Sequence, residues 1–133
     1  MDRPAREYIE ELIKAAQTHF SALRVVQRDE RRTRSLIELE GRWGSYRIII
    51  SEIILAEDIR YAYYVLDAEN RLVQGFDNTP DVQAVKLRYG KEYRAHLGER
   101  VPHQHTATGD LSLTEPMTLS RFIDWLTEHL SLS

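Results

Sequence analysis

Tyr46-Arg47-Ile48-Ile49-Ile50-Ser51-Glu52-Ile53-Ile54-Leu55-Ala56 is the stretch that decides the fold. In an extended chain Tyr46, Ile48, Ile50, Glu52, Ile54 and Ala56 point one way, and Arg47, Ile49, Ser51, Ile53 and Leu55 point the other. Both sets are largely apolar, which places the strand in the middle of a sheet. Glu52 is the exception. A carboxylate among isoleucines is costly to bury alone, so we expect it to meet an arginine first, or otherwise a hydroxyl, a metal or an exposed edge.

Working outward, Ile59 to Leu66 carries Ile59, Tyr61, Tyr63 and Val65 on one face. The turn Asp67-Ala68-Glu69-Asn70 then leads into Arg71 to Phe76, completing a three-strand meander. Upstream, Leu23 to Arg28 and Arg34 to Glu40 read as a hairpin over Asp29-Glu30-Arg31-Arg32-Thr33, and Gly41-Arg42-Trp43-Gly44 is the next turn. Ala5, Tyr8, Ile9, Leu12, Ile13, Ala16 and Phe20 recur at helical spacing, predicting a helix from about Arg3 to His19 with Pro4 in its first turn. Thr118 is the expected N-cap of a closing helix striped by Leu119, Phe122, Ile123, Leu126 and Leu130. Between Pro80 and Thr118 the pattern weakens. Val85, Leu87 and Tyr89 alternate, predicting a strand over Ala84 to Tyr89, although Val82 to His96 also tolerates helix; Thr106 to Pro116 is rich in loop formers. The expectation is one α+β domain over residues 1–133: an antiparallel meander of five or six strands packed by an N-terminal and a C-terminal helix.

Composition narrows the chemistry. The absence of cysteine excludes disulfides, thiolate zinc sites and a cysteine nucleophile. No apolar run approaches the roughly 18 residues a membrane span needs, and Met1-Asp2-Arg3-Pro4 does not open a signal peptide, so a cytoplasmic protein with no membrane partner is expected. A net charge of -3 makes no global case for nucleic-acid binding. Local cations do cluster, at Arg24, Arg28, Arg31, Arg32 and Arg34 and again at Lys86, Arg88, Lys91, Arg94 and Arg100. The first group also fits positive side chains guarding a strand edge. There is no Gly-rich phosphate loop, Gly-x-Ser-x-Gly elbow or His-Glu-x-x-His helix, which argues against nucleotide-driven and serine hydrolase chemistry.

What remains lies between Gly75 and His105. Residues two apart on an extended segment share a face, so His103-x-His105 sets two imidazoles side by side. Such a pair can exchange protons near neutral pH or, with a third ligand such as Asp77, hold a transition metal. Asp77-Asn78-Thr79-Pro80 reads first as turn chemistry. Beyond that, Asp77 can orient a histidine and Asn78 can donate to a phosphate oxygen. Tyr63 is a further candidate for a phenol aimed at the site, while Trp43 and Trp125 read as packing residues.

Tyr61-Ala62-Tyr63, Asp67, Asn70-Arg71-Leu72-Val73, Phe76-Asp77-Asn78-Thr79-Pro80 and Pro102-His103-Gln104-His105 together resemble the pattern of the TumE family, small prokaryotic toxins of type II toxin-antitoxin pairs. Gly75 and Asp81 stand where that pattern has Arg and His. The resemblance implies a growth-inhibiting, ribonuclease-like protein held in check by a helix-turn-helix antitoxin, with RNA as substrate. Residue by residue it implies His103 and His105 as acid and base, Asp77 orienting an imidazole, Asn78 as a hydrogen-bond donor, and Arg88 or Arg100 binding phosphate, with no cofactor. Two other readings stand beside it: a non-catalytic binding or assembly module, such as a homodimer joined through an edge strand, and a hydrolase with a transition metal on His103, His105 and Asp77.

Overall fold

Side-chain alternation continues through the middle of the chain and folds it into a single sheet. The computed structural model describes residues 3–130. Strands β1 (Ser21–Glu30), β2 (Arg34–Trp43), β3 (Tyr46–Leu55), β4 (Ile59–Leu66), β5 (Leu72–Asp77), β6 (His103–Thr106) and β7 (Leu111–Leu113) lie side by side in chain order. Each runs antiparallel to its neighbour. This is the expected α+β meander. It reaches seven strands because the His-x-His segment and Leu111–Leu113, the latter inside a stretch read as loop, add two short strands at one edge.

Every second residue of the internal strands turns to one face. Ile37, Leu39, Trp43, Ile48, Ile50, Tyr61, Tyr63, Val65 and Phe76 bury there, beneath Ile9, Leu12 and Ala16 of α1 (Arg3–His19) and Phe122, Ile123 and Leu126 of α3 (Leu119–His129). Both terminal helices thus cover the same side, each laying down the apolar stripe that its spacing predicts. A fully buried side chain of this kind contributes roughly 1.5 to 3 kcal/mol. Thr118 caps α3 as expected, its hydroxyl accepting from Arg121 N at 3.2 Å. Trp43 donates Nε1–H to Leu130 O at 2.9 Å, tying the end of α3 to β2.

Strand β1 forms one edge of the sheet, and its pairing with β2 slips twice, between Ser21 and Arg24 and between Val25 and Gln27. The first arginine cluster is braced locally: Arg24 pairs with Glu40, Arg28 with Glu10 and Glu30, and Arg31 with Asp29. A bulged, charged edge resists strand addition by another chain. No helix among the described residues is long and apolar enough to cross a membrane.

Residues Ala84 to Tyr89 correct the sequence reading, because they form a helix and not a strand. Helix α2 (Val82–Tyr89) starts at Asp81, whose carboxylate accepts from Gln83 N and Ala84 N at 2.8 and 3.2 Å. A 3₁₀ helix, Gly90–His96, follows. The alternation was misleading because Val85 is buried with Ala84 against Val101, whereas Leu87 is 56% exposed and shares no face with it. Asp81→Ala should therefore cost about 1 kcal/mol of stability and Asp81→Ser much less, measured by urea unfolding.

Candidate functional site

Strand register brings the sequence candidates together. Asp77 of β5 lies between Ala62 of β4 and His103 of β6, and Gly75 lies between Tyr64 and His105. Since Tyr63 and Phe76 turn to the core, Arg60, Ala62, Tyr64, Gly75, Asp77, His103 and His105 occupy the opposite face. Helix α2 packs at the β7 end of this face.

Asp77 is buried yet surrounded by donors. Its Oδ1 accepts from Thr79 N at 3.1 Å and Thr79 Oγ1 at 2.7 Å, and its Oδ2 accepts from the Tyr64 hydroxyl at 2.7 Å. Burial works against its charge, but the nearby His103 ring and the hydrogen bonds from Tyr64 and Thr79 outweigh it and hold the pKa well below the ordinary carboxylate range. The anion is thus built into the sheet. The neighbouring strand answers with nitrogen: His103 Nε2 stands 3.0 Å from Asp77 Oδ1, and His105 Nε2 stands 3.5 Å from Oδ2.

The two imidazoles share a face, as their spacing predicts, with ring centres 4.9 Å apart and planes nearly perpendicular. Their access differs. The His103 side chain is 1% exposed and the His105 side chain 27%. His103 Nδ1 donates to Val101 O at 2.7 Å, leaving Nε2 turned toward Asp77 but without a hydrogen-bond partner among the described residues. Burial disfavours the His103 cation, but proximity to the Asp77 carboxylate and the Val101 carbonyl prevails and raises its pKa.

Gly75 has a physical reason. A Cβ there would sit 2.5 Å from two carbons of the Tyr64 ring, so the missing side chain is what lets Tyr64 lie over β5 and reach Asp77. Tyr64, not Tyr63, is the phenol of this site. The adjacent tyrosines Tyr63 and Tyr64 differ only in parity, and which of the two faces the helices cover the sequence left open.

Asn78 bonds within the fold. Its Oδ1 accepts from Tyr61 N at 2.8 Å and its Nδ2 donates to Ile59 O at 2.9 Å, so the amide extends the β4 edge and is not turned to a substrate. Arg100 is paired with Asp58 at 2.5 Å, and Arg88 lies on the exposed side of α2 with its guanidinium 5.9 Å from the Tyr89 ring centre. Arg60 was missed. It lies two residues from Ala62 on the site face, and its buried Nε finds no partner among the described residues. Its place in an alternating strand, Ile59-Arg60-Tyr61, was the available signal.

Glu52 occupies the other face. It is 0% exposed and accepts from the hydroxyls of Tyr8 and Tyr63, the latter at 2.7 Å, and not from the expected arginine. These groups line a cavity of about 720 Å³ shared with Tyr61, Ile54 and Met117. Burial raises the Glu52 pKa, and the two phenols lower it less than burial raises it.

No family model, characterised protein or solved structure matches this chain, so the site is read from its own geometry.

Two outcomes are expected. Gly75→Ala should destabilise by about 1 to 3 kcal/mol through overpacking, and most of that cost should vanish when Tyr64→Ala is already present, as read by urea unfolding of the four variants. For Glu52 the sign is that of an acid whose folded pKa is raised. The folded state holds the proton more tightly, so stability falls as pH rises from the ordinary value of 4.5 through the folded pKa. Thermal unfolding from pH 4 to 8 should show the advantage of Glu52→Gln over the parent growing with pH; a constant difference would contradict this account.

Proposed function

We propose that this chain is an RNA-directed phosphodiesterase, the toxin of a toxin-antitoxin pair, working at Asp77, His103 and His105. The observation supporting it is convergence. Tyr61-x-Tyr63, Phe76-Asp77-Asn78-x-Pro80 and Pro102-His103-x-His105, the segments that resemble the TumE pattern, lie on or directly beside three adjacent strands, and their one carboxylate and two imidazoles meet. Gly75 and Asp81 depart from that pattern, as does the longer spacing from the turn to His-x-His, and both residues have structural duties here: one makes room for Tyr64, the other caps α2.

Roles divide by access. His103, sealed beneath the face, holds Asp77 in place, and His105 is the imidazole that meets a scissile phosphate. An acid and base pair in which both rings touch RNA does not fit this burial. Substrate binding falls to α2 and the 3₁₀ helix, where Lys86, Arg88, Lys91 and Arg94 interleave with Tyr89 and Tyr93. Lys86 Nζ and the Arg94 guanidinium lie 5.0 and 5.1 Å from the Tyr93 ring centre. Cations hold the backbone and phenol rings stack on bases, an arrangement suited to single-stranded RNA. Arg60 adds a cation on the site face. The partner is a helix-turn-helix antitoxin that masks this surface, and the setting is the cytoplasm. The bulged, ion-paired β1 edge argues against a dimer joined by strand addition at that edge.

Induced expression in a bacterial host should arrest growth, and co-expression of the adjacent antitoxin gene should relieve it. Purified His105→Ala should cleave single-stranded RNA at least about 100-fold more slowly than the parent. The double change Lys86→Glu and Arg88→Glu should weaken RNA binding and flatten its dependence on salt. Cleavage by His105→Ala at the parent rate would remove the proposal.

A further inference from the structure

The buried nitrogen of His103 is the unexplained group of this site. Nδ1 is committed as a donor to Val101 O at 2.7 Å, so in the neutral ring Nε2 carries a lone pair. That lone pair sits 3.0 Å from an oxygen of an ionised carboxylate, buried, with no hydrogen bond to relieve it. A nitrogen and a carboxylate oxygen so placed call for a cation between them, a proton in the free site or a metal ion in its place.

We propose that Asp77, His103 and His105 form a three-ligand site for a zinc-class divalent transition metal, with the fourth position open beside His105. This deepens the phosphodiesterase reading and rests on it only for what the metal would do, not for whether it binds. One ligand atom from each of the three residues lies within 4.8 Å of the others. Bonds of about 2.0 Å at tetrahedral angles separate ligand atoms by about 3.3 Å. His103 Nε2 stands 3.0 Å from Oδ1 and His105 Nε2 3.5 Å from Oδ2, one imidazole to each carboxylate oxygen, so the three groups need to draw together only slightly to close on one ion.

The surroundings are those that metal ligands need. A ligating imidazole is oriented by a hydrogen bond from its other nitrogen, and Val101 O receives that bond. A ligating carboxylate is in turn fixed by hydrogen bonds, here from Thr79 and Tyr64. Two imidazoles and one carboxylate suit zinc or its first-row neighbours better than magnesium or calcium, which prefer all-oxygen shells. The burial of Asp77 and His103 closes the back of the site, and the partial exposure of His105 leaves the front open to water or substrate. A water in the open position loses a proton near neutral pH. The resulting hydroxide adds to phosphorus, one P–O ester bond breaks, and the departing oxygen takes a proton from solvent. With its Nε2 on the metal, His105 acts here as a ligand, in place of the direct contact with phosphate proposed above.

The test uses the full chain without an affinity tag, stripped with a chelator and titrated with cobalt(II) as an optical probe and zinc(II) by calorimetry. The expected result is one ion per chain, cobalt absorption of four- or five-coordinate strength, and zinc affinity reduced at least about 10-fold by His105→Ala. Tyr64→Phe, which removes a bond to Asp77 but no ligand, should weaken zinc by about 10-fold or more, and His129→Ala should leave zinc affinity unchanged. Circular dichroism of the metal-free variants checks that they fold. Absence of binding to the stripped parent, or binding unchanged in folded His105→Ala, overturns the metal site. The two proposals fail separately: RNA cleavage that survives verified metal removal but needs His105 sinks the metal's part in catalysis alone, failure of the stripped parent to bind zinc sinks the site, and stoichiometric zinc in a chain inert toward RNA sinks the phosphodiesterase alone.

Discussion

An ionised carboxylate held inside a sheet is the constraint on which the rest of this structure turns. Asp77 lies at the end of β5 with its charge out of water, where an uncompensated ion costs several kcal/mol. Donors from two directions answer it, the Tyr64 hydroxyl from β4 and the amide and hydroxyl of Thr79 from the turn, and the His103 ring stands beside it from β6. Each imposes a condition on its neighbours. Tyr64 reaches Asp77 only across a residue without a side chain, hence Gly75. Thr79 binds only where the chain leaves the strand, and Asn78 and Asp81 shape that exit, one by tying it to β4 and the other by starting α2.

The sheet carries a second buried carboxylate, and the contrast separates structure from chemistry. Glu52 receives two phenol hydrogen bonds, and burial raises its pKa. Asp77 receives a hydroxyl, a phenol, a peptide N–H and the field of an imidazole, and its pKa is lowered. The same functional group is thus biased toward neutrality on the helix-covered face and toward permanent charge on the other. A fixed anion beside two imidazoles can hold a cation or a proton in place, whereas a carboxyl enclosed by tyrosines serves packing and the adjoining cavity. Strand parity alone assigns each to its side.

The meander also explains how residues far apart in sequence make one site. Antiparallel strands in chain order put each next to its predecessor, so β4, β5 and β6 present their outward residues as one row. The insertion between β5 and β6 returns as α2 and the 3₁₀ helix, placing cations and tyrosines at the edge of that row without disturbing the core beneath. The carboxylate and imidazoles rest on the strands and their surroundings on the insertion, a division that keeps the three groups rigid.

Much of this was legible in the sequence because it depends on periods. The isoleucine alternation of Tyr46–Ala56 required an internal strand, the stripes ending at Phe20 and Leu130 required helices, and the His-x-His spacing required two rings on one side. These are local rules that the chain satisfies without reference to distant parts. The turn chemistry of Asp77-Asn78-Thr79-Pro80 was legible too, though not which amide would bind a neighbouring strand. Only the tertiary structure decided the rest, because it turns on pairing and burial between segments far apart. It made Ala84–Tyr89 a helix, since the Asp81 cap and burial against Val101 outweighed an accidental alternation. It gave Glu52 two tyrosines in place of an arginine, chose Tyr64 over Tyr63, and buried one histidine while leaving the other open. A period says which residues share a face; which face is covered, and by what, is set by the register of strands that meet only when the chain has folded.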